Sequence, residues 1–362
     1  MIRFARSGWR SSLFTCLTGV LISLAPAAAV TLPPSGAVRM TPPVGTAAWL
    51  ADARRLPDPV RTDPATIHRF LSTLDPEEQR GMAATYPDVV GNLDGAPPAL
   101  RYEANRRAMA AAGPPYRDQP GQYLLFDPRG QGQVAQVFGD LERADRIAVL
   151  APGAGNRAGN FWRGVGGKRF RSPSAQGENL YRSARSHTMP AERFAVVVWL
   201  GYDAPDGIDL SAAREDLAHT GAAALERFVT GLTVLRPRAT IALLGYSYGS
   251  TVIGIAARRL PIQVTDIAAF GSPGMGVDRA AELGTRARIW AALSPRDNMR
   301  WVPGVHVRGL GHGAQPAEPG FGAIVIPADD VPNHDHYLTV GTRSQASLTS
   351  IALFGTDVPE MP

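Results

Sequence analysis

Cysteine and lysine are almost absent from this 362-residue chain. The one cysteine, Cys16, lies in an N-terminal segment that we expect to be removed, so the mature chain has neither a thiol nor a disulfide. This excludes a Cys-ligated zinc site and a cysteine nucleophile. Lys168 is the only lysine, and loss of Arg3, Arg6 and Arg10 with the N-terminal segment lowers the formal charge from +5 to +2. Such a charge balance argues against a nucleic-acid partner.

The N-terminus has the pattern of a signal peptide. Residues 13–24 form an apolar run behind the three arginines, and Ala27, Ala28 and Ala29 offer an A-x-A cleavage site. We therefore predict a signal peptide over residues 1–29. The run is too short to span a bilayer as a stable helix, which disfavours the alternative of an uncleaved membrane anchor. The expected location is secreted, either extracellular or associated with the cell envelope.

The remaining chain divides into three parts. Residues 30–45 are a Pro-rich leader, typical of an extended spacer. Residues 46–115 show apolar positions at helical spacing, and we expect a small helical extension or cap. Residues 120–355 begin with a predicted hairpin and continue as short apolar runs that alternate with helical segments. This pattern predicts an α/β fold with a mostly parallel eight-stranded sheet and helices on both faces.

The pentapeptide GYSYG at residues 245–249 matches G-x-S-x-G. A strand is predicted before it, at 240–244, and an apolar helix after it, at 251–259. This context matters because a sharp strand-to-helix turn lifts the serine hydroxyl above the sheet, while the glycines let strand and helix approach closely. We predict that Ser247 is a nucleophile; the alternative is a structural Gly-Ser turn.

A serine nucleophile needs a base that is itself oriented by a carboxylate, and in this arrangement the chain order is Ser, acid, His. Asp297 follows the strand predicted at 288–293, where the acid usually lies. Asp266 begins a strand at the wrong edge of the sheet, and Asp278 is the remaining alternative.

Four histidines follow Ser247 in the chain. His306 and His312 come before the last predicted strand, too early for the base. His334 and His336 lie between the last strand and the last helix, where the base belongs, and chain order does not choose between them.

A glycine-rich loop follows the strand predicted at 146–150. The backbone N–H of Ala154 in this loop and that of Tyr248 beside the serine are the expected oxyanion-hole donors. The loop lacks the third glycine and the downstream acid of a dinucleotide site. Asp203, Asp206 and Asp209 are spaced by three, but turn and cap roles suit them better than metal binding. We expect neither a cofactor nor a metal.

Eight features of the chain resemble those of one protein family. They are residues 86–95 (YPDVVGNLDG), 101–105 (RYEAN), 152–155 (PGAG), 199–205 (WLGYDAP), 245–249 (GYSYG), 271–274 (GSPG), 334–338 (HDHYL) and Asp297. The family comprises predicted secreted α/β-hydrolases of high-GC Gram-positive bacteria, long catalogued as a domain of unknown function. Its pattern of a histidine three residues before a tyrosine implies that His334, with Tyr337, is the base rather than His336. The resemblance also implies that Asp203 lies near the active-site edge, without a known role.

Together these features predict an exported serine hydrolase that cleaves carboxylic esters through Ser247, His334 and Asp297. The expected partner is a small-molecule or lipid ester, such as a cell-envelope ester. The alternatives are an envelope acyltransferase or amidase with the same triad, and a non-catalytic binding protein on a hydrolase fold.

Overall fold

The computed structural model describes residues 42–186, 193–207, 215–304 and 311–355. The predicted signal peptide with Cys16, residues 30–41 of the leader, Asp209 and His306 all lie outside these ranges. Within them, no helix has both the length and the apolar character needed to cross a membrane.

The N-terminal extension is helical. Its helices are α1 (Thr46–Leu50), α2 (Pro64–Ser72), α3 (Pro76–Thr85), α4 (Pro87–Val90) and α5 (Pro98–Ala112). Aspartates cap two of them: Asp63 accepts from the Thr66 N–H at the start of α2, and Asp75 forms a capping box with Glu78 at the start of α3. The helical character predicted for residues 46–115 is confirmed, and α1 and α4 are too short to show a helical period in the sequence. Trp49, Ile67 and other buried side chains give the extension its own hydrophobic cluster.

An eight-stranded sheet forms the centre of the molecule. Its strands are β1 (Gln122–Asp127), β2 (Gln133–Gly139), β3 (Arg146–Ala151), β4 (Phe194–Leu200), β5 (Thr240–Tyr246), β6 (Val264–Phe270), β7 (Arg288–Ala292) and β8 (Ile324–Val325). Their order is β1-β2-β4-β3-β5-β6-β7-β8. β2 pairs antiparallel with β1 and β4, and every other pairing is parallel. β3 and β4 are buried along their whole length, as expected for strands covered on both faces. The predicted mostly parallel sheet is confirmed.

Helices cover the sheet. They are α6 (Pro173–Arg185), α7 (Asp216–Leu235), α8 (Tyr248–Ala256) and α9 (Arg343–Phe354). α6 packs against α9, and α7 packs against α8. α8 begins at Tyr248, three residues before the predicted start, because it follows the serine turn directly. α6 was not singled out from the sequence: its buried positions include Ala175, Gly177 and Ala184, which give little apolar signal.

Side chains of the helical extension form hydrogen bonds with the backbone of β1, the strand at one edge of the sheet. Asn92 donates to the Phe126 carbonyl at 2.9 Å and accepts from the Phe126 N–H at 2.8 Å. Asn105 donates to the Tyr123 carbonyl at 2.8 Å, and the buried Arg101 donates to a further β1 carbonyl. We call Asn92, Arg101 and Asn105 the edge cap, since they satisfy backbone groups that an edge strand leaves unpaired. The family blocks at 86–95 and 101–105 supply these residues.

Candidate active site

Ser247 stands at a strained turn between β5 and α8. Its φ is 51° and its ψ is −127°, and Arg55 is the only other non-glycine residue with positive φ in the described ranges. Such a conformation costs on the order of 1–3 kcal/mol and persists only where the surroundings impose it. The helix passes close to β3: a Cβ on Gly249 would lie 2.3 Å from the Ala151 carbonyl oxygen. The strand, turn and helix expected around Ser247 are therefore present.

The structure brings Ser247, His334 and Asp297 into one hydrogen-bonded chain. Nε2 of His334 lies 3.0 Å from Oγ of Ser247. Nδ1 of His334 lies 3.0 Å from Oδ1 and 2.9 Å from Oδ2 of Asp297. Asp297 follows β7 and His334 follows β8, so three parallel strands deliver the three side chains to one end of the sheet. The arrangement can deprotonate the serine hydroxyl and hold the resulting imidazolium beside a carboxylate.

His336 points elsewhere. Its ring stacks on Phe170 with centroids 4.4 Å apart, and its Nδ1 lies 3.0 Å from the Thr339 hydroxyl. Of the two histidines, His334 is the one that contacts both Ser247 and Asp297.

Asp297 is buried and held by three kinds of donor. Besides His334, it accepts from the Met299 N–H at 2.8 Å and from the Tyr337 hydroxyl at 2.6 Å. Burial raises the pKa of Asp297, but the hydrogen bond and charge of His334 and the other donors outweigh it and hold that pKa below its usual value. The carboxyl group is thus kept ionised beside the imidazole.

Tyr337 contacts the candidate acid, a contact that the sequence did not reveal. Its hydroxyl donates to Asp297 and accepts from the Ser294 N–H at 2.9 Å, so it joins the acid to the loop after β7. Burial and the neighbouring Asp297 charge raise the pKa of Tyr337, so its hydroxyl remains a donor. The only sequence signal was its fixed distance from His334 in the family pattern.

The loop after β3 has its carbonyl groups tied down. The ties are Tyr202 Oη to the Pro152 carbonyl (2.5 Å), Asn156 Nδ2 to the Gly153 carbonyl (2.9 Å), and Asn160 Nδ2 to the Gly155 carbonyl (2.8 Å). The Gly155 N–H also donates to the Pro205 carbonyl at 2.7 Å. Tyr202 and Pro205 belong to the WLGYDAP block, so this block braces the loop. Asp203 of the same block is exposed.

These ties aim the backbone of the predicted oxyanion hole. In a planar trans peptide the C=O and N–H point in opposite directions. With the Gly153 carbonyl turned onto Asn156, the Ala154 N–H is directed the other way, and among the described residues it forms no hydrogen bond. A Cβ on Gly153 would lie 2.6 Å from the Ser247 Cβ, so the loop backbone lies directly against the serine. Tyr248, the other predicted donor, is the first residue of α8, where helix N–H groups have no intrahelical partner.

A cleft of about 480 Å³ opens beside Ser247 and His334. Ala154 lines it, together with Val165, Arg171 and other side chains from the segment between β3 and α6. None of the described lining residues comes from 46–115, the segment expected to be an extension or cap.

The other candidates from the sequence are not part of the hydrogen-bonded chain of Ser247, His334 and Asp297. Asp266 is buried in an ion pair with Arg146 (2.8 Å), and Asp278 is exposed. His312 packs edge-on against Tyr248. Asp206, in the loop after β4, forms an ion pair with Arg157, in the loop after β3. Within the described ranges, no group of three or more His, Cys, Asp or Glu side chains is arranged to hold a metal ion.

The chain belongs to an α/β-hydrolase family. Residues 127–307 match the sequence profile of a family described as "Alpha/beta hydrolase", which confirms the resemblance of the chain to α/β-hydrolases. The chain is 26% identical over 376 residues to an uncharacterized protein of Mycobacterium tuberculosis (strain ATCC 25618 / H37Rv), covering 81% of this chain and 56% of that protein. An uncharacterized protein of Mycobacterium bovis is 30% identical over 176 residues, covering 46% of this chain and 62% of that protein. The chain thus spans little more than half the length of the first relative.

Solved structures with a similar chain course include two hydrolases. One is esterase PE8, with 17% identity and a TM-score of 0.33, covering 47% of this chain and 78% of that one. The other is a serine hydrolase without lid from Xanthomonas campestris, with 12% identity and a TM-score of 0.39, covering 67% of this chain and 100% of that one.

Proposed function

We propose that the protein is a serine esterase that works through an acyl-enzyme on Ser247. The observation that carries the proposal is the hydrogen-bonded chain from Ser247 through His334 to Asp297, placed at a strained strand-to-helix turn. A serine in such surroundings gains the base and the orienting carboxylate that its weak hydroxyl needs.

The reaction begins with attack of Ser247 Oγ on the ester carbonyl carbon, while His334 Nε2 takes the hydroxyl proton. Asp297 holds the imidazolium, and the N–H groups of Ala154 and Tyr248 stabilise the oxyanion. The C–O bond to the alcohol then breaks, and His334 gives its proton to the leaving oxygen. Water repeats the sequence, releasing the carboxylic acid and restoring the serine. We assign esters because an alcohol leaves more readily than an amine.

Labelling with a fluorophosphonate probe and hydrolysis of p-nitrophenyl acetate test the proposal. Both should be strong in the parent protein and lost in Ser247→Ala. Ser186→Ala, at an exposed serine after α6, is the matched control and should keep both. A parent protein that neither reacts with the probe nor cleaves the ester would overturn the proposal in favour of a non-catalytic binding protein.

We also propose that the esterase acts outside the cytoplasm, on the basis of the arginines, apolar run and alanines of residues 1–29. N-terminal sequencing of protein from the culture medium and envelope should find a chain that begins near Val30. An uncleaved N-terminus in the cytosolic fraction alone would contradict this.

A further inference from the structure

Positive charge is concentrated in one stretch of the chain. Residues 157–186 contain seven arginine or lysine side chains and one acidic side chain, Glu178, so their formal charge is +6. Because residues 30–362 together have a formal charge of +2, the remainder of that part carries −4. The basic stretch comprises the end of the segment between β3 and α6, which helps to line the cleft, and α6 itself. An almost neutral protein therefore has one basic region next to its candidate active site.

Lys168 and Arg169 are exposed on an ordered loop within this stretch. The Arg171 N–H donates to the Lys168 carbonyl at 2.8 Å, and the Ser172 N–H donates to the Arg169 carbonyl at 3.0 Å. These hydrogen bonds fix the backbone that carries the two cationic side chains. Lys168, the only lysine of the chain, forms no ion pair within the described ranges. Its charge is therefore available to a partner.

Glu178 of α6 joins a further arginine to this surface. Its carboxylate lies 3.2 Å from the Arg169 guanidinium and 2.6 Å from that of Arg182. The two arginine side chains are 77% and 74% exposed, respectively. One carboxylate between two arginines leaves a net positive charge, to which Lys168 adds. Three cations and one anion thus share one exposed surface.

Exposed apolar side chains lie beside these cations. Phe170 follows Arg169 directly; it is 39% exposed, and its ring stacks on His336. Val340 is 63% exposed and follows Thr339, whose hydroxyl lies 3.0 Å from Nδ1 of the same histidine. The basic patch, as we call this surface, consists of Lys168, Arg169, Phe170, Arg182 and Val340.

The basic patch adjoins the cleft. Arg171, the neighbour of Phe170 in the chain, lines the cleft and forms an ion pair with Asp335, the residue after His334. Val165, in the same loop as the exposed lysine, also lines the cleft. A partner that binds the basic patch therefore lies beside the cleft that contains Ser247.

We propose that the basic patch docks the protein on an anionic lipid bilayer. Lysine and arginine side chains near such a bilayer are attracted to its negative headgroups. Exposed apolar side chains gain free energy by entering the boundary between headgroups and acyl chains, and Phe170 and Val340 are placed to do so. A long polyanion such as a nucleic acid would extend beyond the patch, where the negative charge of the remaining chain opposes it.

Sedimentation of the full chain with vesicles of phosphatidylcholine and phosphatidylglycerol tests the proposal. The double variant Lys168→Glu, Arg169→Glu should bind these vesicles at least about tenfold more weakly than the parent, because charge reversal turns attraction to the headgroups into repulsion. Arg80→Glu, Arg106→Glu is the matched double variant: it changes the net charge equally, at exposed positions of α3 and α5, and should bind like the parent. Residues 1–29 are identical in all variants, so a difference between the two double variants reports on the patch.

The apolar contribution is measured separately. Phe170→Ala leaves the net charge unchanged and should weaken vesicle binding at least about threefold. Ile262→Ala is its matched control and should bind like the parent. Ile262 is 69% exposed and precedes β6, whereas Ser247 follows β5; because these strands are parallel, the two residues lie at opposite ends of the sheet. Urea midpoints near that of the parent show that weaker binding does not come from unfolding.

Three outcomes would overturn the inference. The first is that the two charge-reversed double variants bind the vesicles equally. The second is that the parent does not sediment with the anionic vesicles at all. The third is that the parent binds heparin-coated beads but not these vesicles, which would make a soluble polyanion the partner.

Docking and the esterase function are tested independently. Ser247→Ala should bind the vesicles like the parent, because the serine is not part of the basic patch. The reaction with the fluorophosphonate probe bears on the esterase function alone. Failure of either proposal therefore leaves the other standing.

Discussion

The amide nitrogen of Asn156 lies 2.9 Å from the Gly153 carbonyl oxygen, and this hydrogen bond turns the next peptide N–H away from Asn156. That N–H belongs to Ala154, the proposed oxyanion donor. The Asn156 side chain is buried and its amide group is bonded to the loop backbone, so we treat it as a positioning residue. We expect it to affect catalysis by fixing the orientation of the Gly153–Ala154 peptide.

Replacing Asn156 by Ala frees the Gly153–Ala154 peptide to rotate. Loss of one oxyanion donor costs about 100- to 1,000-fold in kcat, and a misaimed donor should cost less, about ten- to a hundredfold. KM for p-nitrophenyl acetate should change little, because the oxyanion forms only after binding. Steady-state kinetics measure both constants.

Affinity for phenylboronic acid separates this role from a general loss of structure. The boronate forms a tetrahedral adduct on serine, so its binding should weaken in parallel with kcat in Asn156→Ala. An unchanged kcat in Asn156→Ala would show that Asn156 does not position the donor. A higher KM with unchanged boronate binding would show the same.

Tyr337→Phe removes the hydroxyl that links Asp297 to the Ser294 N–H. The free energy of unfolding should fall by about 2 kcal/mol, because a buried N–H and a carboxylate each lose a partner. We expect kcat/KM to fall about five- to tenfold as Asp297 loses its fixed position. Tyr102→Phe is the matched control, since the Tyr102 hydroxyl is buried and has no hydrogen-bond partner among the described residues. Equal urea midpoints and kcat/KM values for the two variants would contradict the role of Tyr337.

Substitution of His334 should lower kcat far more than substitution of His336. His334→Ala removes the proposed base and should lower kcat by about 1,000-fold or more. His336→Ala loses a ring stack on Phe170 and should stay within about threefold of the parent protein. Hydrolysis of p-nitrophenyl acetate measures both. The reverse ranking would assign the base to His336.

Acid should lower the free energy of unfolding, partly because Asp297 becomes protonated. Its pKa is lower in the folded protein than the ordinary 3.8, so its contribution to stability is present above the ordinary pKa and is lost as pH falls through the folded pKa. Below about pH 4, the free energy of unfolding should therefore fall more steeply with acid in the parent than in Asp297→Asn. Urea unfolding at several pH values gives the two slopes. Parallel slopes would be evidence against a lowered pKa.

The edge cap should matter for stability and solubility. Asn92→Ala leaves both backbone groups of Phe126 without their partner, so the free energy of unfolding should fall by about 2–3 kcal/mol. Asn179→Ala on α6 is the control, because no side-chain hydrogen bond of Asn179 is formed within the described ranges. Denaturant unfolding and light scattering measure the outcome. A stability loss no larger than that of the control would refute the cap.

Much of the fold follows from local patterns. Continuous apolar runs mark β3 and β4, whose strands are covered on both faces, and the glycines around Ser247 mark the turn. Asp297 and the histidine pair follow Ser247 in the chain, and each comes after a predicted strand. Because parallel strands bring their ends to one edge of the sheet, these side chains are expected near Ser247.

What the sequence did not reveal depends on distant parts of the chain. The contact of Tyr202 with the Pro152 carbonyl joins residues fifty positions apart, and that of Tyr337 with Asp297 joins residues forty apart. Neither hydrogen bond has a local sequence signature. The family motifs can therefore be recognised in the sequence, but the hydrogen bonds that their residues form cannot. Likewise, residues 323–326 predict a longer last strand than the two residues of β8, because only Ile324 and Val325 pair with β7.

The edge cap also changes what counts as the folding unit. The matched family profile begins at residue 127, the last residue of β1, so a chain cut at that point would lose β1 together with Asn92, Arg101 and Asn105. β2 would then present a long row of bare backbone groups to solvent, ready to add a strand from another molecule. Such a fragment should polymerise before it can be assayed. A lack of esterase activity in the fragment would therefore say nothing about the role of Ser247.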